Sequence, residues 1–322
     1  NTNLKDLSNN YTKPINMSDY FLNETQAQLQ LVLFGFNKDF EQKTNKKIRD
    51  VFAGINTDYS KEFALSALNE TLKSNGPLSL YFQTSKEKIE KNVGNMLLFA
   101  FAGHDTTGHT LTWLLYELCK APEYKKRLIK EIDNYWNTIN EESYESFRKL
   151  PFMTRCITET LRLWPALANG TFRELENDEI INGVTGKVTL PKGTYCQIFN
   201  WTKHRNPNLW GNDAHIFNPD REFTDKELWD EIYSGYLTSS ERFSPFTYSP
   251  RNCLGRNFSH IEMRLILLNI FKNHDFELTK EQKNEINNKY QGLNFFTLGP
   301  KSIYDNELLG MYVNVIKRKS NL

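Results

Sequence analysis

No stretch of this sequence is apolar for long enough to cross a bilayer. The longest unbroken run, Met96 to Ala102, falls far short of the ~20 residues a spanning helix needs. No signal-peptide pattern opens the chain, and its first residue is Asn1 rather than methionine, so it reads as a fragment. An excess of one charge is also missing. The 40 basic and 39 acidic side chains leave a net charge of +1, which gives no global field to recruit nucleic acid or an acidic membrane. Cysteine is scarce as well. Cys119, Cys156, Cys196 and Cys253 lie too far apart for the paired spacing of a zinc site and are too few for a disulfide framework, which fits a reducing compartment. A Gly-rich dinucleotide or flavin fingerprint is absent too, so any redox electrons would come from another protein.

What is present is a globular composition. The 322 residues, 39% hydrophobic and 25% charged, can bury a large core in one or two domains. Residues 1 to 30 are polar and read as loop with a short helix from Asn23, followed by a brief apolar run from Leu31 to Phe36. Lys38 to Ile55 and Ser60 to Lys73 read as amphipathic helices, and Asn75-Gly76-Pro77 ends that unit. Thr84 to Glu87 has the form of a capping box ahead of one long buried helix whose apolar positions run from Ile89 to Leu118. Pro122 opens a second helix to about Asn137, and a third starts near Pro151 and ends before Pro165. Val188 to Leu190 and Tyr195 to Phe199 read as short strands paired with each other. Leu293 to Leu298 and Met311 to Ile316 read as later strands.

Three stretches carry chemistry. In Ser244 to Asn257, Pro245 and Pro250 exclude helix, Gly255 permits a tight turn, and a helix begins just past Cys253, so its free amides and positive dipole end face the sulfur. The plain alternative is a small buried hydrophobe. Within the long helix, Ala102-Gly-His-Asp-Thr-Thr-Gly108 collects poor helix formers, as in a polar notch or simply a kink. Glu159 and Arg162 share one helix face, a spacing that on an exposed surface is worth little.

Taken together these stretches resemble the cytochrome P450 family over roughly residues 84 to 275. Phe246, Arg251, Cys253 and Gly255 match its Phe-x-x-Gly-x-Arg-x-Cys-x-Gly pattern, with Ser249 in place of one glycine. Ala102 to Thr107 is similar to its distal-helix motif, and Glu159-Thr-Leu-Arg162 to its Glu-x-x-Arg element, completed by Arg221 in Pro219-Asp-Arg221. The resemblance implies a mainly α fold with small β-sheets lacking its N-terminal portion. Residues 1–83 would be a helical and loop segment of the same domain, and 84–322 the haem-binding core. It implies haem b with Cys253 as the metal ligand, Phe246 and Gly255 beside it, Arg251 and Arg173 as propionate partners, Asp105 and Thr106 as catalytic proton carriers, and Glu159, Arg162 and Arg221 as a structural clamp.

His104, His109 and His204 receive no catalytic role. Of the two histidines in the long helix, each reads as a packing or surface residue. The implied reaction is oxygen insertion from O2 into a lipophilic substrate, with NADPH-derived electrons from a flavoprotein reductase or cytochrome b5. Exposed Arg256 and Arg264 would receive that partner. The implied location is the cytoplasmic face of the endoplasmic reticulum, held by an anchor outside this sequence. A haem-dependent isomerase, dehydratase or peroxygenase on the same scaffold, and a truncated non-catalytic relic, stay open.

Overall fold

The computed structural model describes residue 7 and residues 12–52, 58–84, 89–139, 143, 145–229, 240–248, 250–288, 292–294, 297–304 and 309–318. A short strand, β1 (Ile15–Asn16), leads into α1 (Met17–Gln28) and a π-helical turn at Leu29–Leu33. The sequence places helix only from Asn23, but Asn16 starts it earlier. Its Oδ1 accepts the Ser18 and Asp19 amides at 3.1 and 3.3 Å, satisfying helix-start donors. Burial then outweighs the polar composition: Met17, Phe21 and Leu22 are sealed in the interior, each stabilising by about 1.5–3 kcal/mol.

Next come α2 (Lys38–Phe52), α3 (Tyr59–Lys73) and α4 (Pro77–Thr84). Pro77 therefore opens a helix where the sequence suggested an end, since its fixed φ and missing N–H suit a first helical position. Phe34, Phe36, Ile48, Phe63, Ala67, Phe82, Met96 and Ala100 form one apolar cluster among these helices and the next.

The axis of the molecule is α5 (Ile89–Lys120), a single helix of 32 residues as the periodicity implies. The capping-box residues before it lie largely outside the described residues. Packing explains Gly103 and Gly108. A Cβ on Gly103 would sit 2.6 Å from Leu29 Cδ1, and one on Gly108 would meet the Leu22 backbone at 3.1 Å, so α1 crosses α5 over these two positions. Thr25 of α1 adds a hydrogen bond from its hydroxyl to the His104 carbonyl, 2.9 Å. Leu29 thus fills the space beside Gly103.

Helices α6 (Pro122–Thr138) and α7 (Pro151–Leu163) keep their expected proline starts. Together with α5 and α10 (below) they enclose the larger core, which includes Leu114, Leu118, Leu128, Ile132, Met153 and Ile157. Four strands follow: β2 (Thr171–Glu174), β3 (Glu179–Gly183), β4 (Gly186–Leu190) and β5 (Tyr195–Ile198). The expected pairing of the last two does not form. Instead β4 folds back on β3 with Gly183 opposite Gly186, and β5 pairs with β2 with Arg173 opposite Cys196. Gly170 makes the second pairing feasible: it sits at φ +68°, and a Cβ there would lie 1.8 Å from the Ile198 carbonyl oxygen.

Short helices α8 (Asn200–Lys203) and α9 (Pro207–Trp210) precede α10 (Arg256–Asn273), β6 (His274–Leu278) and α11 (Lys280–Asn288). The expected strand over 293–298 is a hairpin, β7 (Gly292–Asn294) and β8 (Leu298–Pro300), because the chain reverses between Asn294 and Leu298. Finally β9 (Tyr312–Lys317) lies between β1 and β6 in a three-stranded sheet. Among the described residues no helix is long and apolar enough to cross a membrane.

Candidate active site

Cys253 stands at the end of the irregular segment that feeds α10. Its amide donates to the Phe246 carbonyl at 2.9 Å, which closes the loop around the cysteine, and Thr247 takes the left-handed conformation at φ +64°. The Ser249 departure lies outside the described residues. The loop is tied down at its start. Ser244 donates its amide to His204 Nε2 at 3.0 Å and its hydroxyl to Asn200 Oδ1 at 3.2 Å, while Lys203 Nζ reaches the Ser244 hydroxyl and, at 2.9 Å, the Tyr248 hydroxyl.

Cys253 itself is exposed. The protein packed around the sulfur nevertheless pushes the thiol above its ordinary range, against the Gly255 and Arg256 amides and the Arg256 guanidinium, which pull it down. The helix end alone therefore does not produce the thiolate expected from the sequence; a coordinated metal would deprotonate the thiol outright. Phe246 packs its ring 5.3 Å from that of His260. Arg251 and Arg173 are both exposed, and Arg173 turns Nη1 onto the neighbouring Phe172 carbonyl at 2.8 Å.

Asp105 and Thr106 occupy half-buried positions on α5, beside exposed Ala102. The Thr106 hydroxyl donates to the Ala102 carbonyl one turn back, 2.8 Å, as a helix threonine can. One Asp105 oxygen accepts from the Thr297 hydroxyl, and the other lies 3.5 Å from His109 Nε2. His104 and His109 are buried, 3% and 2% exposed, which leaves only the packing half of the sequence reading. Beside this helix Leu298 donates its amide to the Ala166 carbonyl, 3.0 Å, and receives the Trp113 indole N–H on its own carbonyl, 2.7 Å. Phe258, one turn past Gly255, packs into the same apolar cluster as Met96 and Ala100 of α5, so the cysteine helix and the Asp105 helix share a wall.

The clamp residues are brought together in the interior. Both Glu159 oxygens receive Arg162 at 2.7 Å, Arg221 Nε approaches Glu159 at 3.4 Å, and Arg162 Nη1 donates to the carbonyls of His204 and Ala214, each 2.7 Å. The fully buried pair is thus satisfied on nearly every side. It also reaches the cysteine loop through His204, whose carbonyl holds Arg162 and whose ring holds Ser244. Sequence reasoning passed over His204 because nothing local marks an imidazole that bridges segments 40 residues apart.

Arg256 and Arg264 are not exposed. They are 4% and 0% accessible, and Arg264 donates to the His260 carbonyl at 2.8 Å and to the Thr154 hydroxyl at 2.6 Å, while burial lowers its pKa to about 9. The expectation that they form a docking patch is therefore overturned: their apolar surroundings on α10, with Arg264 over the Trp229 ring, take both inward. A cleft of about 290 Å³ between α1 and α10, lined by Tyr20, Phe258, Ile261 and Glu262, contains neither Cys253 nor Asp105.

The donor chemistry identifies what kind of group would fit. Among the described residues no three His, Cys, Asp or Glu side chains gather into a metal site. One exposed thiol ahead of a helix suits a metal that brings its other ligands with it, as a porphyrin does. Fold and loop together define a mainly helical protein with small antiparallel sheets that presents an exposed thiol just ahead of a helix. A family model described as Cytochrome P450 matches residues 1–304, and the chain belongs to that family. It is 31% identical over 228 residues to cytochrome P450 CYP13A2 of Caenorhabditis elegans, covering 71% of this chain and 40% of that protein. Against CYP13A6 of the same organism identity is 28% over 270 residues, or 82% and 49% of the two chains. Against cytochrome P450 4F3 of Rattus norvegicus it is 37% over 171 residues, or 52% and 30%. The chain therefore spans half or less of the length of these relatives.

Proposed function

We propose that this chain provides the thiolate loop and distal helix of a haem monooxygenase that inserts one oxygen atom of O2 into a lipophilic substrate. The observation that carries the reading is an exposed cysteine just ahead of α10, a helix whose Phe258 packs on the same apolar cluster as Met96 and Ala100, the α5 residues that precede Asp105 and Thr106. Haem, when bound, supplies the reductive activation of dioxygen and the oxidising power. Cys253 would hold its iron, with Gly255 and Phe246 shaping the loop and Arg251 and Arg173 pairing with the propionates as charge-assisted donors.

Thr106 and Asp105 would hold and pass protons from α5. The Thr106 hydroxyl can exchange its backbone partner for a reacting oxygen without moving the helix. Glu159, Arg162 and Arg221 would keep the cysteine loop in register through His204. The apolar and aromatic lining near Ala166 and Leu298 favours a lipophilic substrate and excludes water. Electrons would come from NADPH through a flavoprotein reductase, with cytochrome b5 as a second donor, at the cytoplasmic face of the endoplasmic reticulum. That location rests on the family resemblance alone. Purified chain reconstituted with haem, then reduced under carbon monoxide, tests the reading. A thiolate-type absorption band and reductase-dependent product support it, and colourless protein after reconstitution overturns it.

A further inference from the structure

Asp105 and Thr106 are neighbours in sequence, yet each is already occupied elsewhere. Thr106 donates to Ala102, while Asp105 is gripped by Thr297, just ahead of β8, and faced by His109. Thr297 is 6% exposed and immediately precedes β8. Three consecutive residues fasten that segment to α5. Thr297 bonds to Asp105. Leu298 accepts the Trp113 indole at 2.7 Å. At Gly299 a Cβ would stand 2.5 Å from His109 Cε1, so the imidazole lies flush against the backbone.

The imidazole is placed to serve the carboxylate and little else. Its Nδ1 is buried without a hydrogen-bond partner, while Nε2 points at Asp105. Burial holds His109 below its ordinary pKa, with the Asp105 charge acting against that; hence the ring is neutral and carries one proton. Placing that proton on Nε2 directs it to the carboxylate and leaves Nδ1 as the bare nitrogen.

We propose that Thr297 and His109 are positioning residues that latch Asp105 toward β8, so that the acid becomes available to Thr106 only when the 297–299 segment shifts. This rests on the proton-carrying role given to Asp105 above and adds a trigger to it. Leu298, locked between Trp113 and Ala166, belongs to the wall that would meet substrate. A substrate pressing on this segment would loosen Thr297 from Asp105, linking proton delivery to bound substrate. Proton delivery without substrate would waste reductant, which the latch prevents.

Two measurements test this. In the purified chain without haem, NMR titration of the His109 ring, assigned by the signal lost in His109→Gln, should move down in Asp105→Asn. It should move up in Thr297→Val, where the carboxylate is released from its hydroxyl donor, and return in Thr297→Ser. In the haem-loaded chain with reductase, Thr297→Val should consume NADPH severalfold faster than wild type when no substrate is present, and Thr297→Ser should not. A purely structural threonine would leave the substrate-free rate unchanged or lower it. An identical His109 titration in wild type, Asp105→Asn and Thr297→Val overturns the latch, as does a substrate-free rate that does not rise in Thr297→Val. The NMR arm needs no haem. Failure to bind haem with the titrations as expected would reject the monooxygenase reading and leave the Asp105 contacts standing.

Discussion

At the scale of single residues, the four cysteines are not interchangeable. Cys156 is fully buried, and burial pushes Cys119 up to about 12, so neither can become an accessible thiolate. Cys253→Ser replaces a soft ligand by a hydroxyl that binds iron poorly. It should abolish the thiolate-type band of the reduced, carbon monoxide-treated protein, while Cys196→Ser retains it; an unaltered spectrum in Cys253→Ser would remove the proposed ligand. Thr106→Ala deletes the hydroxyl now resting on Ala102 without disturbing the helix ladder. Oxygen consumption should continue while product falls about 100-fold, the low end for loss of a proton-transfer group, and peroxide rises. Unchanged coupling of oxygen use to product would reject its role. Cys253 could be found from sequence because prolines, a glycine and a helix start surround it within a few residues. Thr297 could not, because its partner lies 192 positions away and no local pattern announces so distant a contact.

At the scale of elements, the clamp between α7 and the segment before Arg221 decides how firmly the cysteine loop is held. Arg162→Met removes the cation from a fully buried carboxylate and strands the carbonyls of His204 and Ala214. It should cost about 3–5 kcal/mol in unfolding free energy, the penalty of an uncompensated buried charge. By contrast Asp220→Asn, which breaks an exposed pair with Arg127 at 2.7 Å, should change stability by less than about 1 kcal/mol. Urea unfolding of the two variants compares them, and similar losses would show that the clamp is not the stronger device. The helices α5, α6 and α7 were legible because period, proline starts and the stop before Pro165 agree. The errors came where packing decides. The start of α1 depends on what α5 covers, the pairing of β2 with β5 depends on Gly170, and the burial of Arg256 and Arg264 depends on neighbours that α10 does not name.

At the scale of the whole molecule, the even balance of charge leaves buried titratable groups to set the response to acid. His104 is the clearest case. Burial is the main cause that lowers it from 6.5 to about 4, against the Asp105 charge and its bond to the Ala100 carbonyl, 2.8 Å. Because the folded value lies below the unfolded one, the unfolded chain takes up this proton first as pH falls. The contribution is intact above 6.5, is lost progressively between 6.5 and about 4, and is constant below; a lowering of that size corresponds to roughly 3 kcal/mol.

Glu262, Glu117 and Glu131, raised by burial, act in the opposite sense. They lose stability as pH rises from 4.5, so the total curve mixes both kinds of group. The comparison that isolates His104 is therefore between wild type and His104→Leu, unfolded by urea at a series of pH values. The carboxyl contributions are common to both chains and cancel. Wild type should lose stability relative to the variant by up to roughly 3 kcal/mol on going from pH 6.5 to 4 and no further below. Parallel curves across that window would mean that the imidazole protonates in the folded chain as readily as in the unfolded one. It would then not be sealed between α1 and α5.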